Sequence, residues 1–204
     1  AMVIKTAKYA EEIQNAAQKT GVGVEDLQGL KFAAEQSEVS FESLQGALAK
    51  FSKGLAGMSD ANKMDAFALA IKAMGIETRD AENKIRPLGA LMLDTAEWFS
   101  KHKDGAEKSA IASTAFGKAM GPALIPFFNQ GKTVIKELME QARSLGKVLS
   151  VEDVAAAATF ADQLDVLKTG IEGVELTIGK ALMPTMIAWS AQIENFGPLL
   201  DEWR

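Results

Sequence analysis

Apolar residues recur every three or four positions along most of the chain, and no stretch alternates apolar and polar residues for long. Phe41, Leu44, Leu48, Phe51 and Leu55 step by 3 and 4, which places them on one face of a helix. Met64, Phe67, Ile71 and Met74 do the same, as do Ile135, Leu138, Ala142 and Leu145. The longest pattern lies in residues 151–183, where Leu167, Ile171, Val174, Ile178 and Ala181 follow strict 4-3-4-3 steps. Such a stripe is a helix-packing seam, to be buried against helices of this chain or of another copy. The predicted fold class is all-α: a bundle-like array of helices with one long helix in the C-terminal half.

The polar punctuation places the helix ends. Thr20-Gly21-Val22-Gly23, Gly57-Met58-Ser59-Asp60 and Leu145-Gly146-Lys147 read as stops followed by new starts. Ser150-Val151-Glu152-Asp153 has the form of a capping box, and Asp104-Gly105-Ala106-Glu107 is a weaker version. The prolines at 87, 122, 126, 184 and 198 favour helix starts, breaks or kinks. Helices are expected near 2–18, 24–36, 41–55, 60–74, 88–102, 105–117, 122–129, 132–145, 151–183 and 185–200. Between them, residues 75–87 suit a small irregular hairpin or loop, with Asn83 at a left-handed turn and Ile76 and Ile85 as its apolar pins. Breaker density suggests three parts: an N-terminal helix (1–20), a compact multi-helix module (21–149), and a long helix followed by a Pro-broken terminal helix (150–204).

A short echo links two helix starts. Val24-Glu25-Asp26-Leu27-Gln28-Gly29 matches Phe41-Glu42-Ser43-Leu44-Gln45-Gly46. Paired as a helical hairpin, these would bring Leu27 and Leu44 together, with Gly29 and Gly46 allowing close approach, but two merely similar helix starts are the favoured reading.

Composition narrows the function more than it identifies one. The chain has 204 residues, 48% hydrophobic and 24% charged, enough apolar material for a core. With no cysteine, disulfide scaffolds, zinc ribbons and thiol catalysis are excluded. The net charge of −5 is spread along the chain and forms no basic face, so no nucleic-acid site is evident. The longest charge-free runs, 119–131 and 181–193, contain proline and fall short of the roughly 20 apolar residues of a spanning helix. Ala1 before Met2 resembles a cloning scar, so a piece of a longer protein is expected.

Candidate chemistry is sparse, and neither a cofactor nor a metal site is expected. His102, the single histidine, stands in Lys101-His102-Lys103 at a helix end, where cations suit the dipole. Phosphate-loop, nucleophile-elbow and paired-histidine zinc motifs do not occur. Phe41-Glu42-Ser43 superficially resembles the Glu-Ser start of lytic transglycosylases, whose acid works because burial raises its pKa. The Gly-Leu-Met-Gln segment of that family is missing after Glu42, and a glutamate there is a helix-dipole partner.

Segment by segment, the chain resembles phage tail tape measure proteins. The resemblance begins at Thr20-Gly21-Val22-Gly23-Val24-Glu25-Asp26-Leu27-Gln28-Gly29-Leu30-Lys31-Phe32-Ala33-Ala34. It continues through Val39-Ser40-Phe41-Glu42-Ser43-Leu44, Gly75-Ile76 with Asp80, Asp104-Gly105-Ala106-Glu107-Lys108 and Phe116-Gly117-Lys118. Leu124-Ile125-Pro126-Phe127-Phe128-Asn129-Gln130-Gly131, Leu145-Gly146-Lys147-Val148-Leu149-Ser150 and Ala181-Leu182-Met183-Pro184 complete the order. Asn83 and Glu38 depart from the family, which often has glycine at both places. The resemblance implies a non-catalytic helical segment in tail tube assembly, tail length determination and DNA ejection. It further implies a location in the virion tail, with assembly in the host cytoplasm, and the tail tube protein, assembly chaperones and tail-tip proteins as partners, besides self-association. A helical peptidoglycan-degrading domain and a virion protein-binding module without a ruler role are the alternatives.

Overall fold

The spacings of three and four residues become helices because each places a continuous apolar stripe where a neighbour can cover it. The computed structural model describes residues 2–58 and 65–201. Its elements are α1 (Met2–Thr20), α2 (Val24–Glu35), α3 (Phe41–Gly57), α4 (Ala66–Ala73), α5 (Leu88–Lys101), α6 (Ala106–Phe116), α7 (Met120–Ala123), α8 (Ile125–Asn129), α9 (Gly131–Ser144) and α10 (Val151–Asp201). The fold is all-α. The extended pairing among the described residues is an isolated antiparallel bridge between Arg79 and Ile85.

Two units emerge, Ala1–Ala158 and Thr159–Arg204. In the first, α9 lies against both α2 and α5, α5 also packs on α8, and α3 contacts α1 and α6. The N-terminal helix is therefore not a separate part. Ala7, Ala10, Ile13 and Ala16 recur at three-residue steps, and all four are buried. The second unit belongs to α10, which runs through Pro184 and Pro198 without the expected break. A proline removes one rung of the helix ladder, and at the exposed Lys180 water can take the freed carbonyl.

The centre of the first unit is a run of phenylalanine rings. Phe67 meets Phe51 edge-on at 5.2 Å, and Phe51 stacks on Phe116 at 5.1 Å. Phe116 lies 4.9 Å from Phe128, which also contacts Phe99 and Phe127 at 5.2 and 5.1 Å. One ring from each of α3, α4, α5 and α6, with two from α8, thus ties five helices together. Met74 and Met92 fill the core beside them, while Met64 lies outside the described residues. Of the α9 spacing, Ile135 and Ala142 are buried with Met139, but Leu145 is exposed because the helix has ended at Ser144.

The helices that carry the echoed starts, α2 and α3, touch, and Leu27 and Leu44 belong to one core cluster. Their glycines clear space for methionines. A Cβ on Gly29 would stand 3.0 Å from Met139 Cγ, and one on Gly46 would stand 2.3 Å from Met120 Sδ.

The hairpin at 75–87 closes as expected at Asn83, whose φ is +62°. The Asp80 carboxylate accepts from the Glu82 and Lys84 amides and shapes the turn. Ile76 is buried but Ile85 is exposed, so one of the two apolar pins is corrected. Arg86 replaces it, donating to the Glu77 carbonyl and to the Asp94 carboxylate on α5.

Glu38 also sits in the left-handed region, at φ +60°. It follows α2, and the Val39 amide reaches back to the Ala34 carbonyl, as in a glycine-type helix stop. A side chain there costs about 1 kcal/mol. Glu38→Gly is therefore expected to raise the melting temperature by roughly 2–4 °C. Calorimetry showing a fall would contradict this reading of the turn.

Candidate functional site

The family-like residues Phe116, Gly117, Leu124, Ile125, Pro126, Asn129 and Gly131 converge on one joint. Phe116 and Leu124 are fully buried, Ile125 packs half-buried on the core, and Pro126 is exposed in the first turn of α8. Proline suits that turn because its missing N–H has no helical partner there. Leu124 divides the expected 122–129 helix into α7 and α8. Gly117 (φ +98°) and Gly131 (φ +81°) take left-handed turns at the joint's ends.

A buried cation locks this joint. The Lys108 side chain is only 3% exposed. Its ammonium donates to the His102 carbonyl at 2.8 Å, Asp104 Oδ1 at 2.8 Å and Asn129 Oδ1 at 2.5 Å. Three donors meet three acceptors, so the ammonium is saturated. The Asn129 amide nitrogen returns to both Asp104 oxygens at 3.0 and 3.2 Å. Hydrogen bonds from Lys108 and then Asn129 hold the Asp104 carboxyl below its usual range. Asp104 is thus drawn into the lock, and Gly105 caps α6 with no side-chain bond, which corrects the expected capping box there. At α10 the serine half of the expected box forms: the Asp153 amide donates to Ser150 Oγ, and that hydroxyl donates to the Asp153 carboxylate.

A groove of about 480 Å³ lies between α1, α2 and the segment before α10. Its floor holds Gln28, buried and fully engaged. Gln28 Nε2 donates to the Leu149 carbonyl at 2.9 Å, and the Leu149 amide donates to Gln28 Oε1 at 2.8 Å. This pair clamps residue 149 to α2 across most of the first unit. Burial, with the charges of Glu35 and Glu12, pushes the Tyr9 hydroxyl up to about 12, so it stays neutral. Two of the groove's lysines rest on aromatic faces: Lys31 lies 4.8 Å from the Tyr9 ring centre and 4.4 Å from that of Phe41, and Lys147 lies 4.7 Å from that of Phe32. These contacts hold helices together.

A second groove, of about 390 Å³, passes His102 and Asp94. His102 is exposed, stacks on Trp98 at 4.0 Å, and sets Nδ1 2.7 Å from the Trp98 carbonyl. Burial raises the Asp94 carboxyl, but hydrogen bonds and charge from Lys132 and Arg86 outweigh it and leave the group lowered. A carboxyl lowered on folding stabilises above its unfolded pKa of about 3.9, and that stability is lost as pH falls through the folded value. Asp94→Asn should therefore lose less melting temperature than the unaltered chain between about pH 5 and pH 2.5. Parallel acid limbs in the two titrations would contradict this.

Glu42 lies exposed in the first turn of α3, without the burial that a transglycosylase acid needs. Among the described residues, no group of three or more histidine, aspartate or glutamate side chains could hold a metal ion, and no helix is long and apolar enough to cross a membrane. The seam residues Leu167, Ile171, Val174 and Ile178 are each more than half exposed among the described residues. Spacing identified the stripe, but a single chain leaves it without a cover.

Two features escaped the sequence. Lys108 sits in an ordinary polar helix start, and only the fold brings Asn129 to it. Gln28 stood within a recognised motif, but nothing local reveals its partner at Leu149. No protein-family model, curated protein or solved structure matches this chain.

Proposed function

We propose that the chain is a non-catalytic helical segment of a phage tail tape measure protein, acting in tail tube assembly, tail length determination and DNA ejection. The observation that carries this reading is the ordered run of family-like segments from Thr20 to Pro184. Their positions in the fold support it. Gly21 and Gly146 take left-handed turns at helix ends, Gln28 makes the clamp on Leu149, and Asn129 completes the Lys108 lock. These residues act as joints, which suits a protein whose task is to hold a shape and pack with others.

The polar side chains of the described grooves are largely committed to internal contacts, which favours a structural role over hydrolysis. The reading extends to contacts with the tail tube protein, tail assembly chaperones and tail-tip proteins, and to residence in the virion. In the genome that encodes the chain, its gene should lie among tail genes, and peptides from residues 21–158 should appear in purified tails. A gene outside any tail cluster, or tails without these peptides, would refute the assignment. A peptidoglycan zymogram addresses the non-catalytic half: clearing that is abolished by Glu42→Gln would overturn it.

A further inference from the structure

The groove between α1, α2 and the segment before α10 gathers cations in an acidic chain. Lys5 and Lys31 come from its helices and Lys147 from the segment that closes it, against one carboxylate in the lining, Glu35. The chain as a whole carries a net charge of −5, so the groove reverses the prevailing sign. Glu12, beside the groove and more than half exposed, lies 3.7 Å from Lys31. Among the described residues no carboxylate pairs with Lys5 or Lys147, and Lys147 rests instead on the Phe32 ring.

Between these ammonium groups the lining is apolar, from Leu149 and the rings of Tyr9 and Phe32. Low-dielectric walls with charge of one sign focus the field into a cleft and draw in the opposite charge. The floor adds no further reading, because Gln28 is saturated. Its Nε2 donates to the carbonyls of Val24 and Leu149, and its Oε1 accepts from the Leu149 amide and the Tyr9 hydroxyl. The rim is open, with Lys5, Glu35, Gly146 and Lys147 all exposed. At about 480 Å³ the cleft has the volume of a ligand site, but so open a rim cannot cover the roughly 70–90% of a small molecule that such sites bury. A chain segment lying across it needs no such enclosure.

We propose that this groove binds a short acidic peptide segment of another protein, one that carries a large apolar side chain between its carboxylates. The apolar side chain packs on Tyr9, Phe32 and Leu149, and the carboxylates on either side meet Lys5 and Lys147. Lys31, only 15% exposed and held over the Tyr9 and Phe41 rings, supplies a fixed positive charge. Glu35 works in the opposite sense. Its carboxylate limits the affinity for any acidic segment and disfavours a uniformly charged polyanion such as nucleic acid. The occupant touches α1, α2 and residues 146–149 together, and Gln28 already clamps the last of these to α2. Binding therefore braces the turn that precedes α10.

Fluorescence anisotropy of the 204-residue chain with a labelled pentapeptide, four glutamates around a central phenylalanine, tests this. The peptide should bind saturably at sub-millimolar concentration in about 20 mM salt and roughly fivefold more weakly in about 300 mM. Glycine in place of the phenylalanine should weaken binding by about fivefold, and lysines in place of the glutamates should abolish it. Lys5→Glu and Lys147→Glu should each weaken it roughly fivefold, and Glu35→Gln should tighten it about twofold. Lys136→Glu, an exposed change on α9 outside the groove, should leave it unaltered. Circular dichroism melts check that each variant is folded. No saturation by about 1 mM peptide, equal binding of the lysine peptide, or equal loss in Lys136→Glu would overturn the proposal. So would a thymidine oligonucleotide that displaces the labelled peptide at lower concentration than the unlabelled peptide does.

Discussion

Phe128→Ala is expected to lower the melting temperature of the first unit by about 10 °C or more. Truncating a fully buried phenylalanine costs about 3–5 kcal/mol, from lost transfer energy and the cavity left behind. Phe128 is also where the rings meet, with Phe99, Phe116 and Phe127 all within 5.2 Å of its centre. Those ring pairs add about 0.5–1.5 kcal/mol each. At about 2–4 °C per kcal/mol for a unit of this size, the loss is read easily in a thermal melt. Phe128→Leu should recover much of it by keeping volume, so a Leu variant as unstable as the Ala variant would show that ring geometry dominates. A melting temperature within 3 °C of the unaltered chain in both would contradict the placement of Phe128 at the core.

Gly121→Ala should be at least as damaging, although it adds a single methyl group. A Cβ at Gly121 would lie 2.1 Å from the Ala112 carbonyl oxygen and 2.8 Å from the Ser113 amide nitrogen. Both are backbone atoms, so no side chain can swing aside; α7 must move off α6 by more than an ångström. Overpacking against backbone is expected to cost about 3 kcal/mol or more. Gly57→Ala is the matched control. Its Cβ would meet nothing within 4 Å at the end of α3, and the change should be neutral or raise stability by up to about 1 kcal/mol. Equal melting temperatures for the two alanine variants would contradict the close approach of α6 and α7.

How far the sequence reveals these features depends on whether their cause is local. The stripe from Phe41 to Leu55 and the turn at Asn83 are set by residues within a few positions, and both are found where spacing and turn chemistry place them. Pro184 misled because proline's local preference for a break was outweighed by the helix continuing on either side. The glycine stop after Thr20 sets the N-terminal helix apart in sequence, yet its small face of Ala7, Ala10 and Ala16 lets it pack in. Lys108 and Gln28 were illegible as anchors, since their partners lie 21 and 121 residues away. The seam on α10 was legible as a stripe, but an apolar spacing is the same whether its cover comes from the same chain or another.

A length-determining role is tested most directly by electron microscopy of tails from a phage lacking residues 162–189 of this segment. That deletion removes four heptads, the seam from Leu167 to Ala181 among them, and leaves the Gln28 clamp and the start of α10 in place. A helix that measures length contributes about 1.5 Å per residue, so the tails should be shorter by about 42 Å and otherwise normally built. Tails of unchanged length would contradict the ruler role of α10.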